Sequence, residues 1–168
     1  MNIVLIGYRG TGKSTVATLL GQRLERRVVS TDVEVMAKAE LSIPEIVEKF
    51  GWDHFRQIET DICQSLGTQD GLVIDTGGGA ILRDENVVAL KANSVAYWLI
   101  AEVATIVSRI GGDTQRPSLS GAKTFVEEIE EILNERTPKY QAVADHIIPT
   151  DHSSPEQVTD AILSLIRP

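Results

Sequence analysis

Cysteine is nearly absent from this sequence: Cys63 stands alone among 168 residues, so neither an intramolecular disulfide nor a thiolate metal cluster can form. A reducing compartment suits such a chain best, and a cytoplasmic protein is expected. An excess of positive charge is missing too. Sixteen Lys and Arg face 24 Asp and Glu, a formal net charge of −8, which argues against a nucleic-acid-binding face. No apolar run approaches the ~18–20 residues of a membrane span. The first strand-like run begins almost at Met1, leaving no room for a signal or transit peptide. His54, His146 and His152 show no ligand spacing and read as structural or surface residues. Repeats, low-complexity segments and linkers are lacking as well. What remains, 42% hydrophobic and 24% charged residues, is enough for one core and too little for two ordinary domains, so a single domain over residues 1–168 is expected. Any anionic ligand must then be held by local positive groups.

Those groups begin with Gly7-Tyr8-Arg9-Gly10-Thr11-Gly12-Lys13-Ser14-Thr15, which has the Walker A pattern. Met1 to Ile6 before it are mostly aliphatic and of strand length, and Val16, Leu19, Leu20 and Leu24 after it recur at helical spacing. Strand, glycine turn and helix come in the order that turns successive N–H groups toward an anion at a helix N-terminus. Gly10, Thr11, Gly12, Lys13, Ser14 and Thr15 are therefore the candidate phosphate-binding residues. Lys13 reaches the β- and γ-phosphates, and the Ser14 hydroxyl is the candidate ligand for Mg²⁺, which favours oxygen donors shared with phosphate.

Further along, a short strand Arg27 to Ser30 runs into Thr31, read as the N-cap of a helix beginning at Asp32. Asp32 is either a site acid at the carboxyl end of a strand or a first-turn helix acid. Ser42, Pro44 and Glu45 signal another helix start. Phe55, Ile58, Ile62 and Leu66 form the stripe of the next helix, with Arg56 and Glu59 one turn apart and able to pair on its flank. The strand Gly71 to Asp75 resembles a Walker B strand, and Gly77-Gly78-Gly79 after it marks either a loop or a place where a ligand approaches backbone. Arg109 lies off the stripe of a later helix, placed to favour its dipole or to reach a nucleotide. Residues 111–123, glycine-rich with Arg116 and Pro117, read as a mobile lid. In the following helix Arg136 falls on the apolar face of Phe125, Ile129, Ile132, Leu133 and Tyr140, so it needs an anion, either an internal acid or a substrate carboxylate. Strand and helix alternate throughout, which favours an α/β fold with a parallel sheet between helices.

The ordered set of phosphate loop, Thr31-Asp32, Phe55-Arg56 with Glu59, Gly77-Gly78-Gly79, Arg116-Pro117 and Arg136 resembles shikimate kinase from end to end. The resemblance implies a nucleoside-monophosphate-kinase-like P-loop fold with a five-stranded parallel sheet, helices on both faces and a lid at about 111–123. It implies transfer of phosphate from ATP to the 3-hydroxyl of shikimate, with Mg²⁺, on the route to aromatic amino acids. Asp32 would bind the hydroxyls and accept a proton, Arg56 and Arg136 would clamp the carboxylate, Glu59 would position Arg56, and Gly78 and Gly79 would approach the ring, giving a substrate region of about 32–60. Arg116 would stabilise the transferred phosphoryl, with Lys13 and Asp32 as its catalytic partners, and Arg109 and the loop before Pro155 would flank adenine. The expected partner is a small molecule, with no nucleic acid or membrane, acting on a monomer. One departure stands out: the family usually carries Asp-x-Asp where this chain has Ser30-Thr31-Asp32, so Asp75 is the candidate to take over the outer magnesium shell. The rivals are a kinase for a related polyol carboxylate such as quinate, aminoshikimate or gluconate, and a binding protein impaired in catalysis by Ser30.

Overall fold

The computed structural model of the chain describes residues 1–111 and 124–166. Strand β1 (Asn2–Ile6) is buried at every position, as a near-continuous aliphatic run must be when both faces of a parallel sheet are covered. It lies at the middle of a five-stranded sheet of order β2-β3-β1-β4-β5, in which β2 is Val28–Ser30, β3 Val73–Asp75, β4 Ser94–Ile100 and β5 His146–Pro149. All four pairings are parallel. The chain passes from β1 to the β2 edge, returns through β3, and then crosses to β4 and β5 on the other side. The carboxyl ends of β1, β2 and β3 thus converge at the place where open α/β sheets bind ligands.

Alternation along β1 divides the core. Ile3 and Leu5 face a cluster with Val16, Leu20, Val158 and Ile162, supplied by α1 (Lys13–Leu24) and α8 (Pro155–Ile166). Val4 and Ile6 face Cys63, Leu66, Leu90 and Tyr140, from α4 (Trp52–Gly67), α5 (Asp84–Lys91) and α7 (Phe125–Val143). Between β2 and β3 the insertion α2 (Thr31–Ala39), α3 (Ile43–Phe50) and α4 packs about its own cluster of Val35, Ile43, Ile46, Phe55 and Ile58. Helix α6 (Val103–Ile110) joins Tyr8, Ile129 and Ile132 in a fourth. Among the described residues no helix is long and apolar enough to cross a membrane.

Local signals act where expected at α3, whose Ser42 and Glu45 form a full capping box behind Pro44. At α2 the expectation fails. Ser30, not Thr31, is the N-cap, its hydroxyl accepting from the Val33 N–H, while Thr31 is the first helical residue and is fully buried. The cause is a tertiary bond that local sequence does not display: the Thr31 hydroxyl accepts the Gly77 N–H at 2.8 Å. Phe125, read onto the apolar stripe of α7, is instead exposed at the helix start. The expected lid lies beyond Gly111, and Arg116 and Pro117 with it, outside the described residues.

Candidate active site

The phosphate loop owes its shape to close backbone approach. Gly7 has φ +139°, and a Cβ there would stand 2.4 Å from the Leu99 carbonyl oxygen, so the position admits no side chain. Two side chains lace the turn: Lys13 Nζ donates to the carbonyls of Gly7 at 2.8 Å and Tyr8 at 3.0 Å, and the Thr11 hydroxyl donates to Tyr8 at 2.8 Å. Gly12 precedes α1 without a side-chain cap. The first N–H groups of the helix are therefore left to the loop and whatever it holds. From α6, Arg109 donates to the Gly10 carbonyl at 3.2 Å and to the Thr150 hydroxyl and carbonyl at 3.1 and 2.9 Å, tying the loop to the segment after β5. Pro155 opens α8 further along that segment at an exposed position.

Ser14 and Asp75 meet below the loop. The Ser14 hydroxyl donates to Asp75 Oδ2 at 2.6 Å, and sheet register sets Asp75 level with Leu5 on one side and Ser30 on the other. Burial pushes the Asp75 carboxyl above its ordinary value, against the pull of the Lys13 charge and the Ser14 hydrogen bond. Ser14, Thr15, Ser30 and Asp75 line one cavity with Gly10, Gly12 and Lys13. Among the described residues no group of three or more His, Cys, Asp or Glu comes together so as to hold a metal ion. The oxygens gathered here suit a hard cation that keeps water and phosphate ligands rather than a cation caged by protein.

A second cavity opens beside it, lined by Asp32 from α2, Arg56 and Glu59 from α4, Gly77, Gly78 and Gly79 after β3, and Arg136 from α7. Arg56 Nη1 pairs with Glu59 Oε2 at 2.7 Å, and its guanidinium also lies 5.6 and 5.1 Å from the Trp52 and Phe55 ring centres. The pair is not the solvent-facing helix pair that its spacing alone suggests. Glu59 is fully buried, its Oε1 has no hydrogen-bond partner among the described residues, and burial raises its pKa against the charges of Arg56, Arg136 and Arg83. A buried acid so arranged holds Arg56 in place more firmly than an exposed one can.

The glycine triplet is the floor of this cavity. A Cβ on Gly77 would stand 2.5 Å from Asp32 Oδ1, one on Gly79 2.2 Å from Arg56 Nη2, and one on Gly78 3.5 Å from Arg136 Nη1. Each glycine therefore touches one of the charged residues expected at the site. Tyr140, one turn after Arg136 on α7, donates its hydroxyl to the Gly78 carbonyl and stacks on Trp98.

Sequence reasoning missed several lining residues. Trp52 carried no site reading, Phe55 entered only as a stripe residue and as the neighbour of Arg56, Tyr8 and Arg9 occupy positions the Walker pattern leaves open, and Glu128 carried no signal beyond its place beside Ile129. With them the lining holds three arginines, Arg9, Arg56 and Arg136, and three carboxyl groups, Asp32, Glu59 and Glu128. Such a mixture suits a ligand with one carboxylate and several hydroxyls: guanidinium groups grip the carboxylate and acids accept from hydroxyls. Asp32 and Arg9 line both cavities.

The family model for shikimate kinase matches residues 9–167. A shikimate kinase of Caldicellulosiruptor bescii is 36% identical over 98% of this chain and 94% of that protein. One of Geobacter sulfurreducens is 39% identical over 99% of this chain and 91% of that protein. The solved structure of shikimate kinase from Acinetobacter baumannii in complex with shikimate superposes with a TM-score of 0.93 at 34% identity, covering 98% of this chain and 92% of that one.

Proposed function

The chain belongs to the shikimate kinase family, and on that premise we propose how its own residues divide the work. It transfers phosphate from ATP to the 3-hydroxyl of shikimate, giving ADP and shikimate 3-phosphate in the biosynthesis of aromatic amino acids. The observation that carries the division of labour is that Asp32 borders both the phosphate-loop cavity and the arginine-lined one. An acid at that junction receives the proton of the attacking hydroxyl as the hydroxyl meets phosphorus. Arg56 and Arg136 clamp the carboxylate, Glu59 fixes Arg56, and Gly78 and Gly79 let the ring settle on backbone. Lys13 and Arg116 balance charge on the phosphoryl group, while Arg109 and the segment at Pro155 flank the base.

Ser14, with Asp75 behind it, would hold Mg²⁺, which would supply neutralisation of phosphate charge. The short Ser14 to Asp75 hydrogen bond favours Asp75 over Ser30 for that outer position, since the Ser30 hydroxyl already caps α2. The whole of 1–168 acts as one kinase domain, working as a cytoplasmic monomer with 111–123 as its lid. A coupled assay of ADP release tests the reading: release should depend on shikimate, with kcat/KM far above that for quinate or gluconate. Equal rates with and without shikimate would refute it.

A further inference from the structure

The reaction moves a highly charged group across a boundary, and two described residues stand on that boundary. The γ-phosphorus to oxygen bond of ATP breaks, a bond to the 3-oxygen of the acceptor forms, the hydroxyl proton passes to Asp32, and ADP leaves. The cavity that receives the phosphate already contains Asp32, Glu59 and Glu128 in its lining. A phosphate monoester adds about −1.5 to −2 charge. Arg56 and Arg136 are engaged by the acceptor carboxylate in the function proposed above. The remaining arginine of the lining is Arg9, which also borders the cavity of Lys13 and Ser14.

Its mounting suits that place. Arg9 belongs to the phosphate loop laced by Lys13 and Thr11, and its guanidinium lies 5.9 Å from the ring centre of Tyr8 and 5.8 Å from that of Phe125. Rings fix a cation by their quadrupole without cancelling its charge. Arg56, by contrast, has a carboxylate against it. A guanidinium held between aromatic faces keeps its forked N–H donors for an oxyanion.

We propose that Arg9 is a phosphate-binding residue of the acceptor side, which takes up the phosphoryl group as it leaves the loop and holds the phosphate of the product. The inference rests on the shikimate kinase reading of the site. It distinguishes the product from the substrate: Arg9 touches only the phosphorylated acid.

The test is equilibrium titration of the whole protein with shikimate and with shikimate 3-phosphate, read by tryptophan fluorescence because Trp52 lines the cavity, alongside calorimetric titration with ATP. In Arg9→Met the affinity for shikimate 3-phosphate should fall at least about tenfold, while those for shikimate and ATP stay within about twofold of wild type. Arg9→Lys, which keeps the charge, should recover part of the lost affinity, and kcat should follow the same order. Unchanged product affinity in Arg9→Met, or an equal loss for all three ligands, overturns the inference and leaves the function of the site intact. A wild-type protein that binds neither acid overturns both.

Discussion

Arg136 is buried on a helix face otherwise given to Ile129, Ile132 and Tyr140, and its charge reaches Glu59 from across the cavity. Removing a guanidinium that grips a carboxylate costs about 2–3 kcal/mol, so Arg136→Ala should raise KM for shikimate roughly 30- to 150-fold. KM for ATP should stay within about twofold. Comparable losses for both ligands would mean a damaged fold and not a lost clamp. Asp75 makes a different prediction, because burial makes the folded protein hold its proton more tightly than the unfolded chain does. Folding then takes up a proton between the ordinary aspartate pKa and the raised one. The stability associated with that proton is present below the window and is lost as pH rises through it. Asp75→Asn, which keeps an acceptor for Ser14, should therefore raise Tm at pH 7 and remove this loss of stability with rising pH, so that Tm climbs more steeply across the window than in the wild type, while turnover and its Mg²⁺ dependence collapse. Undiminished turnover would remove Asp75 from the metal shell. Arg136 and Asp75 were both legible as candidates, one from an arginine on an apolar stripe and the other from an acid ending an aliphatic strand. Arg9 and Glu128 were not, because nothing in their spacing separates a cavity wall from a solvated surface.

At the scale of elements, the junction of β2 with α2 shows how a tertiary bond overrides a local cap. Ser30 and Thr31 are both good caps by residue type, and only the burial of Thr31 against Gly77 decides between them. Thr31→Val should leave the Gly77 N–H without its acceptor and cost about 1–3 kcal/mol in urea denaturation. Thr31→Ser, which keeps the hydroxyl, should lose much less. Because Gly77 carries the floor under Asp32, the valine variant should also raise KM for shikimate more than KM for ATP. An ATP effect of equal size would separate the bond from the acceptor site. The elements themselves were largely readable from apolar periodicity and, at α3, from its capping box. The pairing of Arg56 with Glu59 was readable as well, but its burial was not, since that depends on the glycine triplet arriving from a different part of the chain.

For the whole molecule, Cys63 offers a measure of folding. Its thiol is buried between the sheet and α4, and burial with the Glu59 charge pushes its pKa up to about 12. A thiol reagent should leave it untouched at pH 8 and react at once in denaturant. Ligands should delay that reaction. With shikimate and ADP each present at about 100 times its Kd, each should add about 2.7 kcal/mol to the stability of the folded state, and unfolding followed by Cys63 labelling should move to correspondingly higher urea. Rapid labelling of the native protein would show that the core opens locally without unfolding.

The cluster of Val35, Ile43, Ile46, Phe55 and Ile58 holds α2, α3 and α4 together apart from the two faces of the sheet. Asp32 rides on α2 and Arg56 and Glu59 on α4, whereas Lys13, Ser14 and Asp75 ride on the sheet and α1. The acceptor cavity is therefore a joint construction: Arg56 and Glu59 travel with the insertion between β2 and β3, whereas Arg136 on α7 and the floor of Gly77, Gly78 and Gly79 stay with the body that carries the phosphate loop, so exchanging the insertion alone would replace only half of the carboxylate clamp.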